Sequence, residues 1–155
     1  GANTIGIDDL AVTRYVGDIW NNDVLRAAMT GCAVVYYCVV DTRGWLRDPA
    51  PLFRTNVEGT RHVLDVAVEP AIAAGLKKFV FTSTVGTLAA SRPERAVTED
   101  DAADWDGGGP YIESRRAAEN LVLDYAHYRG LPAVALCIST TYGPGDWQPH
   151  YITHL

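Results

Sequence analysis

The run "AVVYYCVV", Ala33–Val40, is apolar throughout and rich in β-branched and aromatic residues. Two similar runs follow it, "FVFTST" at Phe79–Thr84 and "AVALCIST" at Ala133–Thr140, and a weaker one, Val12–Val16, precedes it. Continuous rather than alternating apolarity is typical of strands that are covered on both faces, as in a parallel sheet. The four runs therefore predict four strands of a parallel sheet.

Helical patterns lie between these runs. Asn21–Thr30 opens with capping residues and ends just before Gly31, which is a good C-terminal signal. Asn56–Val68 carries one apolar face, Pro70 then predicts a kink or a short extra turn, and Ile112–Tyr128 carries a second apolar stripe. The order β-α-β-α-β-loop-α-β predicts an α/β fold with right-handed crossovers.

Composition narrows the class of protein. The chain has 155 residues, 48% of them hydrophobic, as expected for one globular domain, and its net charge of −6 weighs against a nucleic-acid partner. No apolar run approaches the roughly 20 residues of a membrane span. The three cysteines form no C-x-x-C pair and no zinc spacing with histidine, so we expect no metal site, reduced thiols and a cytoplasmic location. The chain does not begin with methionine, and we therefore expect it to be a piece of a longer protein.

Hydroxyl side chains mark the end of the second long apolar run, at Thr82, Ser83 and Thr84. A segment with little periodicity, 86–110, follows, and Tyr111 then begins the last helical stretch. Long loops without structure of their own are usually functional or disordered. Ligands of doubly wound sheets bind beyond the carboxyl ends of the strands. This order predicts that the hydroxyl groups and the tyrosine meet in one cleft.

The spacing of Tyr111 and Arg115 supports a catalytic interpretation. Residues four apart share one face of a helix. A cation beside a phenol favours the phenolate and lowers the phenol pKa from about 10, so such a pair can exchange a proton with a substrate oxygen near neutral pH. The hydroxyl of Thr84 or Ser83 is a candidate for holding that oxygen. The alternative is that the pair decorates a helix surface and that the hydroxyls only cap a strand end.

Six motifs, in order along nearly the whole chain, resemble the extended short-chain dehydrogenases/reductases, which include sugar-nucleotide epimerases and dehydratases. They are "GDI" (17–19), "VVYYCVVD" (34–41), "NVEGTRHVLDVA" (56–67), "FVFTSTVGTL" (79–88), "YIESRRAAE" (111–119) and "YGPGD" (142–146). The segments "DTRGWLRDP" and "TSTVGTL" are most similar to the branch that holds dihydroflavonol-reductase-like, 3β-hydroxysteroid-dehydrogenase-like and hopanoid-associated members.

The resemblance implies a Rossmann-type doubly wound parallel sheet that binds NAD or NADP, with strand order 3-2-1-4-5-6. Residues 1–155 would then be a partial dinucleotide-binding domain, because the glycine-rich turn of the first βα units and the C-terminal substrate region are not recognisable. The implied activity is hydride transfer between nicotinamide and a carbonyl or secondary alcohol of a small-molecule substrate. Alternatives are a sugar-nucleotide epimerase or dehydratase, or a dinucleotide-binding sensor or scaffold without turnover. A homodimer is a further possibility.

The resemblance also assigns residues. Thr84 would orient the substrate oxygen, Tyr111 would be the acid/base, and Arg115 stands where the family has a lysine that binds the nicotinamide ribose. Because a guanidinium does not replace an ammonium at a fitted site, this change is what supports the sensor alternative. The remaining residues implied in cofactor binding are Asp18 and Ile19 beside the adenine, Val39 and Val40 along the dinucleotide, Asn56, Thr82, Ser83, and Ile138 and Thr140 near the nicotinamide.

Overall fold

The computed structural model describes residues 5–88, 94–101 and 108–141. Helices and strands alternate along these residues, and short helical turns of other kinds join some of them. The helices are α1 (Asn22–Met29), α2 (Ala50–Phe53), α3 (Gly59–Ala67), α4 (Pro70–Ala73) and α5 (Gly109–Arg129), and the strands are β1 (Val34–Tyr37), β2 (Lys78–Thr84) and β3 (Ala133–Ile138). Turns of 3₁₀ helix span Ile5–Ile7 and Val85–Thr87, and a π-helical turn spans Arg54–Glu58.

The three strands form one parallel sheet in the order β1-β2-β3. Tyr37 is in register with Phe81 across the first pair, and Thr84 with Ile138 across the second. The prediction of an α/β fold with a parallel sheet is therefore confirmed. Since all three strands run the same way, their carboxyl ends lie at one edge of the sheet, where ligands of such folds bind.

The prediction of a strand at Val12–Val16 is wrong. These residues form neither helix nor strand, and Val16 is 96% exposed. A strand needs a neighbour that pairs with its N–H and C=O groups. In the order 3-2-1-4-5-6 the third strand pairs only with the second, and no strand in the described part of the chain occupies that place.

The first and last strands are shorter than their apolar runs. β1 ends at Tyr37, and the predicted strand continued to Val40. Beyond β1 the backbone of Asp41 is held by a side chain instead of a neighbouring strand, since Asn56 accepts from its N–H and donates to its C=O. β3 similarly ends at Ile138, before Thr140.

The core lies between one face of the sheet and the helices. Alternate strand residues point to opposite faces. On the other face Tyr36 is 70% exposed, and Leu136 is exposed as well. The predicted apolar stripe of the last helix is confirmed. The strand residues Tyr37, Phe79 and Phe81 pack in one buried cluster with Met29 of α1, with Val63 and Leu64 of α3, and with Ala118, Leu121, Val122 and Tyr125 of α5.

The helix predicted from Asn56 to Val68 starts earlier than expected, at Ala50. The π-helical turn connects α2 to α3 without a break and carries Asn56, which is fully buried. Single π turns inside helices are frequent at functional sites. The predicted kink at Pro70 is present as the short helix α4. Within the described ranges, no helix is long and apolar enough to cross a membrane.

Gly130 ends α5 in the left-handed conformation, with φ +68° and ψ +19°. We expect Gly130→Ala to lower the free energy of unfolding by about 1 kcal/mol, because an L side chain is strained in this region. Urea unfolding of the full-length protein measures this. The matched control is Gly75→Ala, whose φ is not positive and whose Cβ would lie 3.9 Å from the nearest atom, the Ile72 carbonyl oxygen. Equal losses in both variants would contradict the expectation.

Candidate active site

The end of β2 turns sharply towards α5. The Thr84 hydroxyl accepts from the Gly86 N–H at 3.3 Å, and the Thr87 hydroxyl donates to the Thr84 carbonyl at 2.7 Å. A Cβ at Gly86 would lie 2.5 Å from Cδ1 of Ile112, so the backbone of this turn approaches the first turn of α5 closely. The structure thus packs the turn that follows Thr84 against Ile112, the residue after Tyr111.

Tyr111 is half-buried in the first turn of α5. The loop after β1 packs on it, because a Cβ at Gly44 would lie 3.1 Å from the Tyr111 Cβ. The Ser114 hydroxyl donates to the Tyr111 carbonyl at 2.7 Å. Tyr111 is therefore held between the loop that leaves β1 and its own helix.

Asn56 links these two elements. Its side-chain oxygen accepts from the Asp41 N–H at 2.7 Å, and its amide nitrogen donates to the Asp41 carbonyl at 2.9 Å and to the Ser114 hydroxyl at 3.0 Å. Asn56 and Ser114 are fully buried. The amide therefore fixes the chain after β1 relative to the first turn of α5. The described hydrogen bonds of the Asn56 side chain all go to the protein itself, to the Asp41 backbone and the Ser114 hydroxyl.

Arg115 is buried, with 2% of its surface exposed. Its guanidinium donates to the Thr82 carbonyl and lies 4.6 Å above the centroid of the Phe81 ring. Burial lowers the pKa of Arg115, and the nearby Tyr111 and Tyr37 oppose that shift. Its Nη1 is buried and has no hydrogen-bond partner among the described residues. The alternative of a solvated arginine on a helix surface is therefore wrong.

Ser83 belongs to a different cluster from Thr82 and Thr84. Successive strand residues point to opposite faces, and Ser83 points to α5, where its hydroxyl donates to the Glu119 carboxylate. Thr87 Oγ1 lies 2.8 Å from the same carboxylate oxygen, which therefore shares the single Thr87 proton with the Thr84 carbonyl, and the Cys137 thiol lies 3.8 Å from it. We call Ser83, Thr87, Glu119 and Cys137 the hydroxyl cluster. Sequence reasoning missed Glu119, although its place four residues after Arg115 is a usable signal.

Two predicted adenine neighbours precede α1. Asp18 is exposed, accepts from the Trp20 N–H at 3.1 Å, and lines a polar cleft of about 620 Å³ with Arg43 and Arg54. Ile19 is half-buried instead, and a Cβ at Gly59 would lie 2.5 Å from its Cδ1. Of the two, only Asp18 presents a polar group that a ligand can reach.

The other predicted cofactor residues lie at the ends of the outer strands. Val39 and Val40 follow β1 and are 41% and 37% exposed. Ile138 ends β3, and Thr140 follows it, both of them exposed. They share the carboxyl edge of the sheet with Thr84, and no hydrogen bond among the described residues joins them to Tyr111 or Arg115. In the described part of the chain, no three His, Cys, Asp or Glu side chains converge as metal ligands would.

A parallel sheet packed against helices, with polar side chains near its carboxyl edge, is the arrangement of Rossmann-type α/β proteins. The model of the NAD dependent epimerase/dehydratase family matches residues 1–155. The chain belongs to this family.

Named relatives agree with the branch that the motifs indicated. A putative dihydroflavonol 4-reductase of Synechocystis sp. is 29% identical over 92% of the chain and 40% of the relative. The human 3 beta-hydroxysteroid dehydrogenase type 7 is 31% identical over 86% of the chain and 38% of the relative. The chain thus spans about 40% of the length of these relatives.

A solved structure shows the same fold. DesIV, a dTDP-glucose 4,6-dehydratase from Streptomyces venezuelae crystallised with NAD and TYD, superposes with a TM-score of 0.74. The match covers 90% of this chain and 42% of that one, at 22% identity. The predicted Rossmann-type arrangement of the strands is therefore confirmed at the level of fold.

Proposed function

We propose that the protein is an NAD(P)-dependent oxidoreductase that transfers a hydride between nicotinamide and a carbonyl or secondary alcohol carbon of a small molecule. The observation that supports this proposal is that Thr84 ends β2 beside a turn that packs on α5, the helix that carries Tyr111 and buried Arg115. Family membership supports the cofactor class. Residues 1–155 then serve as part of a dinucleotide-binding domain.

The residues present fit a dinucleotide. Nη1 of Arg115 is a buried donor without an acceptor in the described ranges, and a hydroxyl-rich ribose supplies acceptors of the kind it lacks. Arg115 and Thr82 would hold the nicotinamide half, with Ile138 and Thr140 beside it. Asp18 and Ile19 would lie beside the adenine, and Val39 and Val40 would line the dinucleotide. When bound, the cofactor supplies or accepts the hydride.

The chain's own residues would handle the substrate oxygen. In the described contacts the Thr84 hydroxyl acts as an acceptor from Gly86, so its proton is available to a substrate oxygen. Tyr111 would give or take the proton of that oxygen as the hydride moves. Arg115 would keep positive charge beside the forming phenolate. Asn56 and Ser114 would hold Tyr111 in place.

Three further expectations belong to this proposal. An epimerase or dehydratase uses the same transient oxidation of a substrate alcohol, and the corner of Thr84 and Tyr111 suits that chemistry equally well. The remaining expectations are a cytoplasmic location, which the three free cysteines support, and a homodimer.

A second candidate is a dinucleotide-binding protein without turnover. Arg115 favours it, because its guanidinium is engaged by the Thr82 carbonyl and the Phe81 ring on the inner side of the sheet. A side chain fixed there is less free than a lysine to serve both a ribose and a tyrosine.

Arg115→Lys and Arg115→Met separate the two candidates. We expect the full-length protein to oxidise or reduce NAD(P)(H) with small carbonyl or alcohol substrates. Arg115→Lys should stay within about tenfold of that turnover because the charge remains, whereas neutral Arg115→Met should lose about a hundredfold. Absorbance at the reduced-nicotinamide band measures turnover, and its fluorescence measures binding. Arg61→Met, exposed on α3, is the control. Cofactor binding without turnover in every form would establish the second candidate instead.

A further inference from the structure

We propose that Glu119 is a positioning residue for Thr84, acting through the hydroxyl cluster; this inference rests on the proposed function. Glu119 lies on α5, two turns after Tyr111 and one turn after Arg115. The three residues therefore share one face of the helix, the face that meets the end of β2. The role assigned to Glu119 is to hold the turn that presents the Thr84 hydroxyl.

The contacts form a continuous path from the carboxylate to Thr84. Oε2 of Glu119 accepts from the Ser83 hydroxyl and, at 2.8 Å, from the Thr87 hydroxyl. The Thr84 carbonyl oxygen lies 2.7 Å from Thr87 Oγ1 and is a second acceptor for the single proton of that hydroxyl. Glu119 thus contacts Ser83, directly before Thr84, and Thr87, three residues after it. Among the described residues, no hydrogen bond joins Thr84 to Glu119 directly.

The hydroxyl cluster is shielded from solvent. Ser83 and Thr87 are buried, at 7% and 6% exposure, and Glu119 is half-buried under α5. The Cys137 thiol of β3 also lies beside the Glu119 carboxylate. Burial together with the neighbouring Glu119 raises the pKa of this thiol. The thiol therefore stays protonated and able to donate to Oε2 at 3.8 Å. Hydrogen bonds to a charged acceptor are stronger than neutral ones, so a carboxylate suits a place where several donors converge.

Backbone capping completes the presentation of Thr84. Its hydroxyl accepts from the Gly86 N–H in the 3₁₀ turn, and this turn ends at Thr87. Loss of the carboxylate would release Ser83, the residue directly before Thr84, and would leave the Thr84 carbonyl as the acceptor for the Thr87 proton, so the turn that fixes the Thr84 side-chain torsion would shift. A misplacement of about 1 Å at a reacting group can cost up to about a hundredfold in rate. The Thr84 hydroxyl is therefore the group whose function depends on Glu119.

A double-mutant cycle in the full-length protein tests the proposal, with kcat, KM and melting temperature measured for Glu119→Met, Thr84→Ala and their combination. We expect Glu119→Met to lower kcat about tenfold with KM changed by less than about threefold. In the Thr84→Ala background the same change should lower kcat by less than about twofold, because the group that it positions is gone. Glu119→Gln keeps an acceptor oxygen and should restore most of the activity.

The control is Glu113→Met, an exposed glutamate of the same helix, which should leave kcat unchanged. If Glu119→Met does not fold, Ser83→Ala carries the same cycle, since it removes a bond to Glu119 and leaves the bond from Thr87 to the Thr84 carbonyl in place. The positioning role would be overturned if the loss of kcat in the double variant equalled the product of the losses in Glu119→Met and Thr84→Ala. Equal losses of kcat in Glu119→Gln and Glu119→Met would overturn it as well. If Thr84→Ala leaves kcat unchanged, the proposed function itself fails at Thr84, and the role of Glu119 fails with it.

Discussion

Tyr111→Phe is expected to lower turnover by about 10²–10⁴-fold, the usual contribution of a positioned acid or base. The substitution removes one oxygen atom and keeps the ring and the Cβ, which lies beside Gly44. The hydrogen bond from Ser114 goes to the backbone of Tyr111 and is unaffected. Cofactor affinity and melting temperature should therefore change little, and the loss should lie in kcat. Steady-state kinetics and nicotinamide fluorescence titration of the full-length protein measure these quantities.

Tyr128→Phe is the matched control for this prediction. Tyr128 lies on the same helix and is 76% exposed, so the loss of its hydroxyl should leave both kcat and cofactor binding unchanged. Turnover in Tyr111→Phe within about threefold of the parent would remove the tyrosine from the chemistry. A parallel loss of cofactor affinity and of melting temperature would instead assign it a structural role.

The sheet could be predicted because its strands are covered by many apolar side chains. The runs around Tyr37, Phe81 and Ala135 are continuous and β-branched or aromatic, and each forms a strand. The run at Val12–Val16 is weaker, since Arg14 interrupts it, and no strand in the described part of the chain lies beside it; strand formation depends on such a neighbour. Apolar content predicts a strand only where the partner strand is also present.

The site was predictable to the extent that it follows helical spacing. The separation of Tyr111 and Arg115 predicts a shared face, and the structure turns that face towards β2. Ser83 and Thr84 are neighbours in sequence, and this adjacency alone predicts that their hydroxyls lie together. Because successive strand residues point to opposite faces, the structure separates the two side chains. The bonds between Asn56 and Asp41 join residues fifteen apart through a side chain, and no local pattern encodes such a contact.

Asn56→Ala should be the most destabilising of the substitutions considered. It leaves the N–H and C=O of Asp41 without their partner and removes the bond to the buried Ser114 hydroxyl. A buried polar group left unpaired costs about 1–3 kcal/mol. The Ser114 hydroxyl keeps its bond to the Tyr111 carbonyl, so the main cost falls on Asp41, whose exposure is 9%. We expect the free energy of unfolding to fall by about 3–5 kcal/mol.

Urea unfolding of the full-length protein measures the effect, and Asn120→Ala provides the control. Asn120 is exposed on α5, where alanine is the better helix former, so its replacement should change stability by less than about 0.5 kcal/mol. Because Asn56 also fixes the first turn of α5 through Ser114, any folded Asn56→Ala protein should lose turnover as well as stability. A loss below about 1 kcal/mol would mean that water replaces the amide at Asp41. In that case the loop after β1 is held by its packing on Tyr111 rather than by Asn56.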